Sequence, residues 1–173
     1  MADPLDSQDP APVDRAEFAW RQWQKEKPEL DSFPMAVLGR LNEASQIIGR
    51  DRLAPLFARY GLQRGEFDVL ATLRRSGEPF RLTPTALYDA AMISSGGMTS
   101  RLDRMEKAGL VQREPHPEDR RAFLVALTQK GRALVEEVLV AHVENERAVL
   151  AALSPDEQQT LYRLMGKLLA GLL

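Results

Sequence analysis

Two short runs rich in valine, leucine and phenylalanine, Leu110 to Glu114 and Ala122 to Leu127, flank the polar stretch Pro115-His116-Pro117-Glu118-Asp119-Arg120. Almost everywhere else the apolar residues recur at helical spacing. A proline-bearing polar turn between two β-prone runs is a hairpin signal. The chain must therefore seat one β-hairpin with a charged tip inside a domain built of helices.

The helices can be read from their punctuation. Asp14 caps a first helix that runs to about Lys27, where Pro28 stops it. A second begins near Phe33 and Pro34 and carries Val37, Leu38, Leu41, Ala44, Ile47 and Ile48 at helical spacing; the pattern resumes through Leu53, Leu56 and Phe57, with Pro55 kinking or dividing it. Gly61 ends that stretch, and a third helix holds Phe67, Val69, Leu70 and Leu73 before Ser76-Gly77. Phe80-Arg81-Leu82 is a short extended piece. Thr83-Pro84 opens a small helix to about Ala91, and Ser94 or Ser95 caps the next, which ends at Ala108-Gly109. Thr128 caps a long helix to about Leu153, and Ser154-Pro155 with Glu157 opens a last one as a capping box.

A helix pair followed by a two-stranded ribbon makes a winged helix-turn-helix. The expected fold class is mainly α with a small β-hairpin wing, a winged helix-turn-helix domain plus a helical dimerisation region. Residues 1–13, with Pro4, Pro10, Pro12 and three aspartates, are expected to form a disordered tail; 14–60 N-terminal helices; 61–128 the winged helix-turn-helix domain; and 129–173 C-terminal helices.

Several classes of function fall away. Apolar runs such as Leu168 to Leu173 are far short of the roughly 20 residues a bilayer span requires, so no membrane is expected as a partner. The acidic tail lacks the basic and apolar parts of a secretory signal, and the expected location is the cytoplasm. There is no cysteine, which removes thiol catalysis and cysteine metal sites together. The two histidines, His116 and His142, belong to no HExxH, and Gly96-Gly97 sits in no phosphate-loop frame. No catalytic residue, cofactor or metal is expected; His116, Glu118 and Asp119 read as a solvated tip.

Charge concentrates where a nucleic acid would be met. Net charge is -2, yet residues 94–132 hold eight Lys/Arg against five acids. That segment is positive in a chain that is otherwise acidic. On a wheel of about 100° per residue, Met98, Leu102 and Met105 share the core side, while Gly96, Ser100, Arg104 and Lys107 lie opposite. Small, hydroxyl and basic residues backed by an apolar stripe suit a helix lying in a major groove. The expected DNA contacts are Ser94, Ser95, Gly96, Thr99, Ser100, Arg104 and Lys107 on this helix and Arg120 and Arg121 at the wing tip, with Asp119 holding one guanidinium in place.

The run from Asp119 through Arg121 to Leu127-Thr128 and Gly131 resembles the Asp-x-Arg, Leu-Thr-x-x-Gly signature of MarR-family transcriptional regulators. Residues 94–111 resemble their recognition helix leading into the wing. The resemblance implies a homodimeric winged-helix repressor or activator, a repressor being the expectation, that places two recognition helices on a pseudo-palindromic double-stranded operator. Leu161, Leu164, Met165, Leu168, Leu169 and Leu172 give the last helix a broad apolar face consistent with a second copy. Within the family the chain resembles a subgroup with an added N-terminal helix that responds to urate, related purines or aromatic acids. The ligand positions implied here are Trp23, Asp68, Arg101 and Arg113, with Trp20 competing for the tryptophan role. The alternative is a winged helix used for protein contact, without ligand control.

Overall fold

The computed structural model describes residues 14–63, 65–91, 97–119 and 121–173. They form two compact units, the first reaching Asp51 and the second running from Arg52 to Leu173.

The first unit pairs α1 (Arg15–Glu26) with α2 (Phe33–Ile47). Asp14 caps α1 as the sequence implies, its carboxylate accepting from the Glu17 N–H. Ala16 and Gly39 let the helices approach: a Cβ on Gly39 would lie 2.9 Å from that of Ala16. Arg40 donates to Asp14 and Glu17, both at 2.9 Å, and Trp20 meets Phe33 edge-on at 5.5 Å. Apolar burial in this unit is slight, since Phe18, Trp23, Met35, Val37, Leu38 and Leu41 all remain exposed.

The division expected near Pro55 takes an unforeseen form. Ahead of it the helix widens into π-helical turns over Ile48–Leu53, and α3 (Ala54–Arg59) restarts with Pro55 in its first turn. Proline has no N–H to offer and its ring crowds the carbonyl four residues earlier, so a wider turn before it relieves the conflict.

In the second unit α3 leads to α4 (Glu66–Arg75), β1 (Arg81–Leu82), α5 (Pro84–Ala90), α6 (Met98–Lys107), β2 (Val111–Pro115), β3 (Phe123–Leu127), α7 (Gln129–Leu150) and α8 (Pro155–Ala170). The wing has three strands rather than the expected two, in the order β1-β3-β2 and antiparallel throughout. The short extended piece pairs Arg81 with Ala126 and Leu82 with Val125, satisfying the edge of β3 that a two-stranded ribbon would leave open. Leu56, Phe57, Phe67, Leu70, Leu73, Leu87, Leu102, Met105, Val125, Val135 and Val138 form the core.

Two helix starts carry the sequence logic through. Thr83 accepts from the Ala86 N–H with Pro84 in the first turn of α5, and Ser154 and Glu157 complete a reciprocal capping box on α8. The start of α6 differs. It begins at Met98 with Gly97 at the cap position in the left-handed region (φ 80°), and Ser94 and Ser95, the caps the sequence offers, lie outside the described residues. A glycine there turns the chain at little steric cost, and the helix opens after it.

The Leu127-Thr128-x-x-Gly131 run has a structural reason. Thr128 caps α7 through the Gly131 N–H at 3.0 Å and donates its hydroxyl to the Gly109 carbonyl at 2.7 Å, while its own N–H reaches the Leu110 carbonyl at 3.2 Å. A Cβ on Gly131 would stand 1.9 Å from the Leu110 oxygen. Lys130 adds a bond to the Ala108 carbonyl at 2.8 Å. The end of α6 is thereby tied to the start of α7. Gly131→Ala is expected to destabilise the fold by about 2–3 kcal/mol, because the clash is with backbone and outweighs the better helix propensity of alanine. Thr128→Ala is expected to cost about 1 kcal/mol. Urea unfolding midpoints check both, and a Gly131→Ala midpoint equal to the wild type would contradict the close approach.

Candidate nucleic-acid interface and the arginine behind it

Helix α6 shows the two faces its sequence implies. Leu102 and Met105 are 3% and 1% exposed, Met98 packs against the core, and Thr99, Ser100, Arg104 and Lys107 lie on the exposed side. Ser100 donates its hydroxyl back to the Gly97 carbonyl at 3.0 Å, reinforcing the first turn. Ser94, Ser95, Gly96 and Arg120, which the sequence assigns to DNA contact, lie outside the described residues.

Arg104 is exposed yet tethered. Its Nε donates to Glu66 at 3.3 Å and its Nη1 to the Ser100 carbonyl at 3.4 Å. Glu66 is buried at the first turn of α4, and its other oxygen accepts from the Gln63 N–H at 2.7 Å.

The wing is set against α6 by Glu106, which accepts both the backbone N–H of Arg113 at 3.0 Å and its guanidinium. Asp103 takes the same guanidinium at 2.5 Å, and Phe123 lies under it at 5.3 Å. Asp103 first, then Glu106, raise Arg113 further above its ordinary pKa. Arg113 is thus engaged in joining α6 to β2. At the wing tip the Asp119 carboxylate accepts from the Arg121 N–H at 2.9 Å, and the guanidinium of Arg120, one of the two it was expected to choose between, lies outside the described residues. The short, rigid aspartate reaches an amide two residues on more readily than a long mobile side chain. His116 reinforces the turn, its Nδ1 accepting from the Glu118 and Asp119 N–H groups, both at 3.2 Å. No metal-binding group of acids and histidines occurs among the described residues.

Behind α6, Arg101 turns inward. Its Nε and Nη1 are buried without a hydrogen-bond partner. The guanidinium presses on Gly65, where a Cβ would come within 3.0 Å of it, and Gly65 itself has φ 80°. Only glycine meets both demands at the start of α4 without strain. Asp68, half-buried on the next turn, feels the charge of Arg101, His142 and Arg75; burial nevertheless raises its carboxyl above the usual aspartate value. His142 stacks against Phe57 and Phe67 at 5.6 and 4.7 Å, pairs through Nε2 with Glu146 at 3.2 Å and leaves Nδ1 buried and unpartnered. Trp23 and Trp20 belong to the first unit, on α1.

Sequence reasoning passed over Glu66 and His142. The second was findable: Val135, Val138 and His142 stand at positions i, i+3 and i+7, one face of α7, so the histidine is carried into the core. Glu66 had no such signal, since a carboxylate in a helix's first turn is ordinary.

Comparison with known proteins gives these features a family. Residues 60–122 match the model of the MarR family. The regulator PecS of Dickeya dadantii is 44% identical over 147 residues, spanning 85% of this chain and 88% of its own length. Escherichia coli MarR is 32% identical over 138 residues, covering 76% of this chain and 90% of the relative. Among solved structures, Sco3205 of Streptomyces coelicolor in complex with DNA superposes with a TM-score of 0.73 at 26% identity, over 82% of this chain and 89% of that one. A mutant E. coli MarR complexed with operator DNA gives 0.68 at 27% identity, over 85% and 97%. On the order of its elements, the Thr128–Gly131 junction and these relatives, the chain belongs to the MarR family of winged helix-turn-helix transcriptional regulators.

Proposed function

We propose that the protein is a homodimeric repressor that reads a pseudo-palindromic duplex operator through α6 and the wing and is released from it by a small planar anion such as urate, another purine or an aromatic acid. The observation that carries the DNA reading is the exposed Thr99, Ser100, Arg104 and Lys107 face of α6, backed by the buried Leu102 and Met105. Relatives of the same fold, Sco3205 and MarR, have been solved with DNA. Ser94, Ser95, Gly96, Arg120 and Arg121 extend the same surface by sequence.

A second copy answers two needs at once. Leu161, Leu164, Leu168, Leu169 and Leu172 on and after α8 are exposed, and covering each leucine is worth about 1.5–3 kcal/mol. A two-fold mate also supplies the second recognition helix that two half-sites about one turn of DNA apart require.

The effector reading rests on Arg101. Buried N–H groups without partners are costly, and a guanidinium left so beside a carboxylate matches a planar anion that accepts from Arg101 and donates ring N–H groups to Asp68. Asp68 and Arg101 stand as the effector residues. Ligand there would shift α6, and regulation follows if the ligand prefers the DNA-incompetent arrangement.

Gel-shift titrations on duplex bearing the regulator's own upstream DNA, with and without urate, test this. Arg101→Ala and Asp68→Ala are expected to blunt the urate response several-fold more than they alter DNA affinity; an unchanged urate midpoint in both variants removes the pocket. For the wing, Arg120→Ala with Arg121→Ala is expected to flatten the slope of log affinity against log salt by about one to two. An unaltered slope takes the wing out of the DNA contacts.

Asp68 also gives a pH signature. Its folded pKa is raised, so the folded state holds that proton more tightly than the unfolded chain. The associated stability is complete below the unfolded value and is lost as pH rises through the folded one, leaving ionised Asp68 a cost at neutrality. Asp68→Asn is therefore expected to gain on the wild type as pH rises from about 4, where an ordinary aspartate titrates, to 7. Denaturant titrations across that range measure the gap, and a constant gap is the contrary result.

A further inference from the structure

We propose that Glu66 sets the sequence selectivity of the protein by holding Arg104 at its Nε, so that the outer edge of the guanidinium is presented to a base rather than to a phosphate. The inference rests on α6 being the DNA-facing helix. Glu66 is on α4 and does not itself reach the DNA face; it is a positioning residue.

The argument starts from a buried charge. The Glu66 side chain is only 7% exposed, against 45% for that of Arg104. A carboxylate so placed needs partners, and it has two: the Gln63 N–H fixes one oxygen and the Arg104 Nε engages the other. The first of these anchors the carboxylate to the start of α4, so the acceptor offered to Arg104 does not move with the arginine. The two side chains border a cavity of about 350 Å³, lined also by Gly61, Gln63, Lys107 and Leu110. The cavity leaves the guanidinium free of close packing on that side, so the bond to Glu66 orients it.

Held at Nε, and with one Nη1 N–H turned to the Ser100 carbonyl at 3.4 Å, the guanidinium keeps the other Nη1 N–H and Nη2 along its outer edge, and two N–H groups directed outward along that edge are the arrangement that pairs with the O6 and N7 acceptors of guanine. The carboxylate has a second effect. It offsets the positive charge that a phosphate of any sequence would attract, which lowers sequence-independent binding. Lys107, on the same cavity, carries no such tether among the described contacts and remains a point charge for the backbone.

The test uses the full-length protein and two duplexes: the tightest-binding sequence it selects from a random library, and a scrambled duplex of equal length. Glu66→Gln keeps an oxygen for the Gln63 N–H and removes the charge. It is expected to lower the ratio of affinities for the two duplexes about tenfold and to steepen the salt slope on scrambled DNA by about one. In an Arg104→Ala background the same change is expected to do neither, as a double-mutant cycle requires of a residue that acts through another. Arg104→Lys, which retains charge and lacks the fork, is expected to lose the discrimination with the salt slope kept; this variant leaves Glu66 intact should Glu66→Gln fold poorly by thermal melting.

An unchanged ratio in Glu66→Gln, an equal loss in the Arg104→Ala background, or full discrimination in Arg104→Lys overturns the proposal. If Arg104→Ala weakens selected-site binding while Glu66→Gln leaves it intact, only the positioning role falls. If Arg104→Ala binds both duplexes as the wild type does, the DNA role of Arg104 falls with it.

Discussion

The junction between α6 and α7 governs where the exposed residues of α6 stand. Thr128 closes it with bonds to the backbone on both sides, Lys130 adds a bond to the Ala108 carbonyl, and Gly131 permits a backbone approach that no side chain would allow. Helix α6 therefore does not pivot freely at its C-terminal end. The long helix α7, whose Val135 and Val138 are fully buried, becomes the frame against which the reading helix is set. Glu106 extends that frame outward by fixing Arg113, and with it β2, to α6. Helix, wing and frame are joined through backbone carbonyls and charged pairs rather than through apolar packing alone.

The cations of α6 meet different fates because of where the helix turns them. Arg101 goes inward against Gly65, Arg104 is caught at the edge by Glu66, and Lys107 stays on the exposed side. One basic stripe in the sequence thus becomes a buried guanidinium, a tethered edge and an exposed charge. Partners on α4 cause the division: Gly65 and Glu66 are consecutive residues, and each addresses a different arginine one turn apart on α6.

The sequence carried the local chemistry well. Asp14, Thr83, Thr128 and Ser154 cap the helices they were read to cap, because a cap is satisfied within a few residues. It was a poor guide wherever the deciding partner was remote. Glu66 and Arg104 are 38 positions apart, and nothing local distinguishes a buried glutamate from a solvated one. The third strand was missed because two residues are too few to show alternation, and β3 supplies the reason for them to be extended. At the head of α6 Gly97 stands at the cap in the left-handed region, a role that glycine takes by backbone freedom and not by a side-chain signal of the kind the sequence reading follows. The inward turn of Arg101 depends on a remote partner in the same way, since the glycine that admits it, Gly65, stands at the start of another helix.

An effector acting at Arg101 would work on a helix restrained at one end. With the C-terminal end of α6 bound to α7 and the wing fixed to α6 through Glu106, a displacement started beside Gly65 cannot be absorbed by sliding α6 along its axis. On the proposed reading it would emerge as a tilt of the N-terminal half, where the expected base contacts cluster. In a two-fold dimer each tilt is repeated by the mate, so a small rotation changes the separation of the two reading heads by twice its single effect. The coupling would be limited to the difference in ligand affinity between the two arrangements. A guanidinium already fully bonded in the DNA-competent state would leave a ligand little to gain by binding, and correspondingly little leverage over the operator.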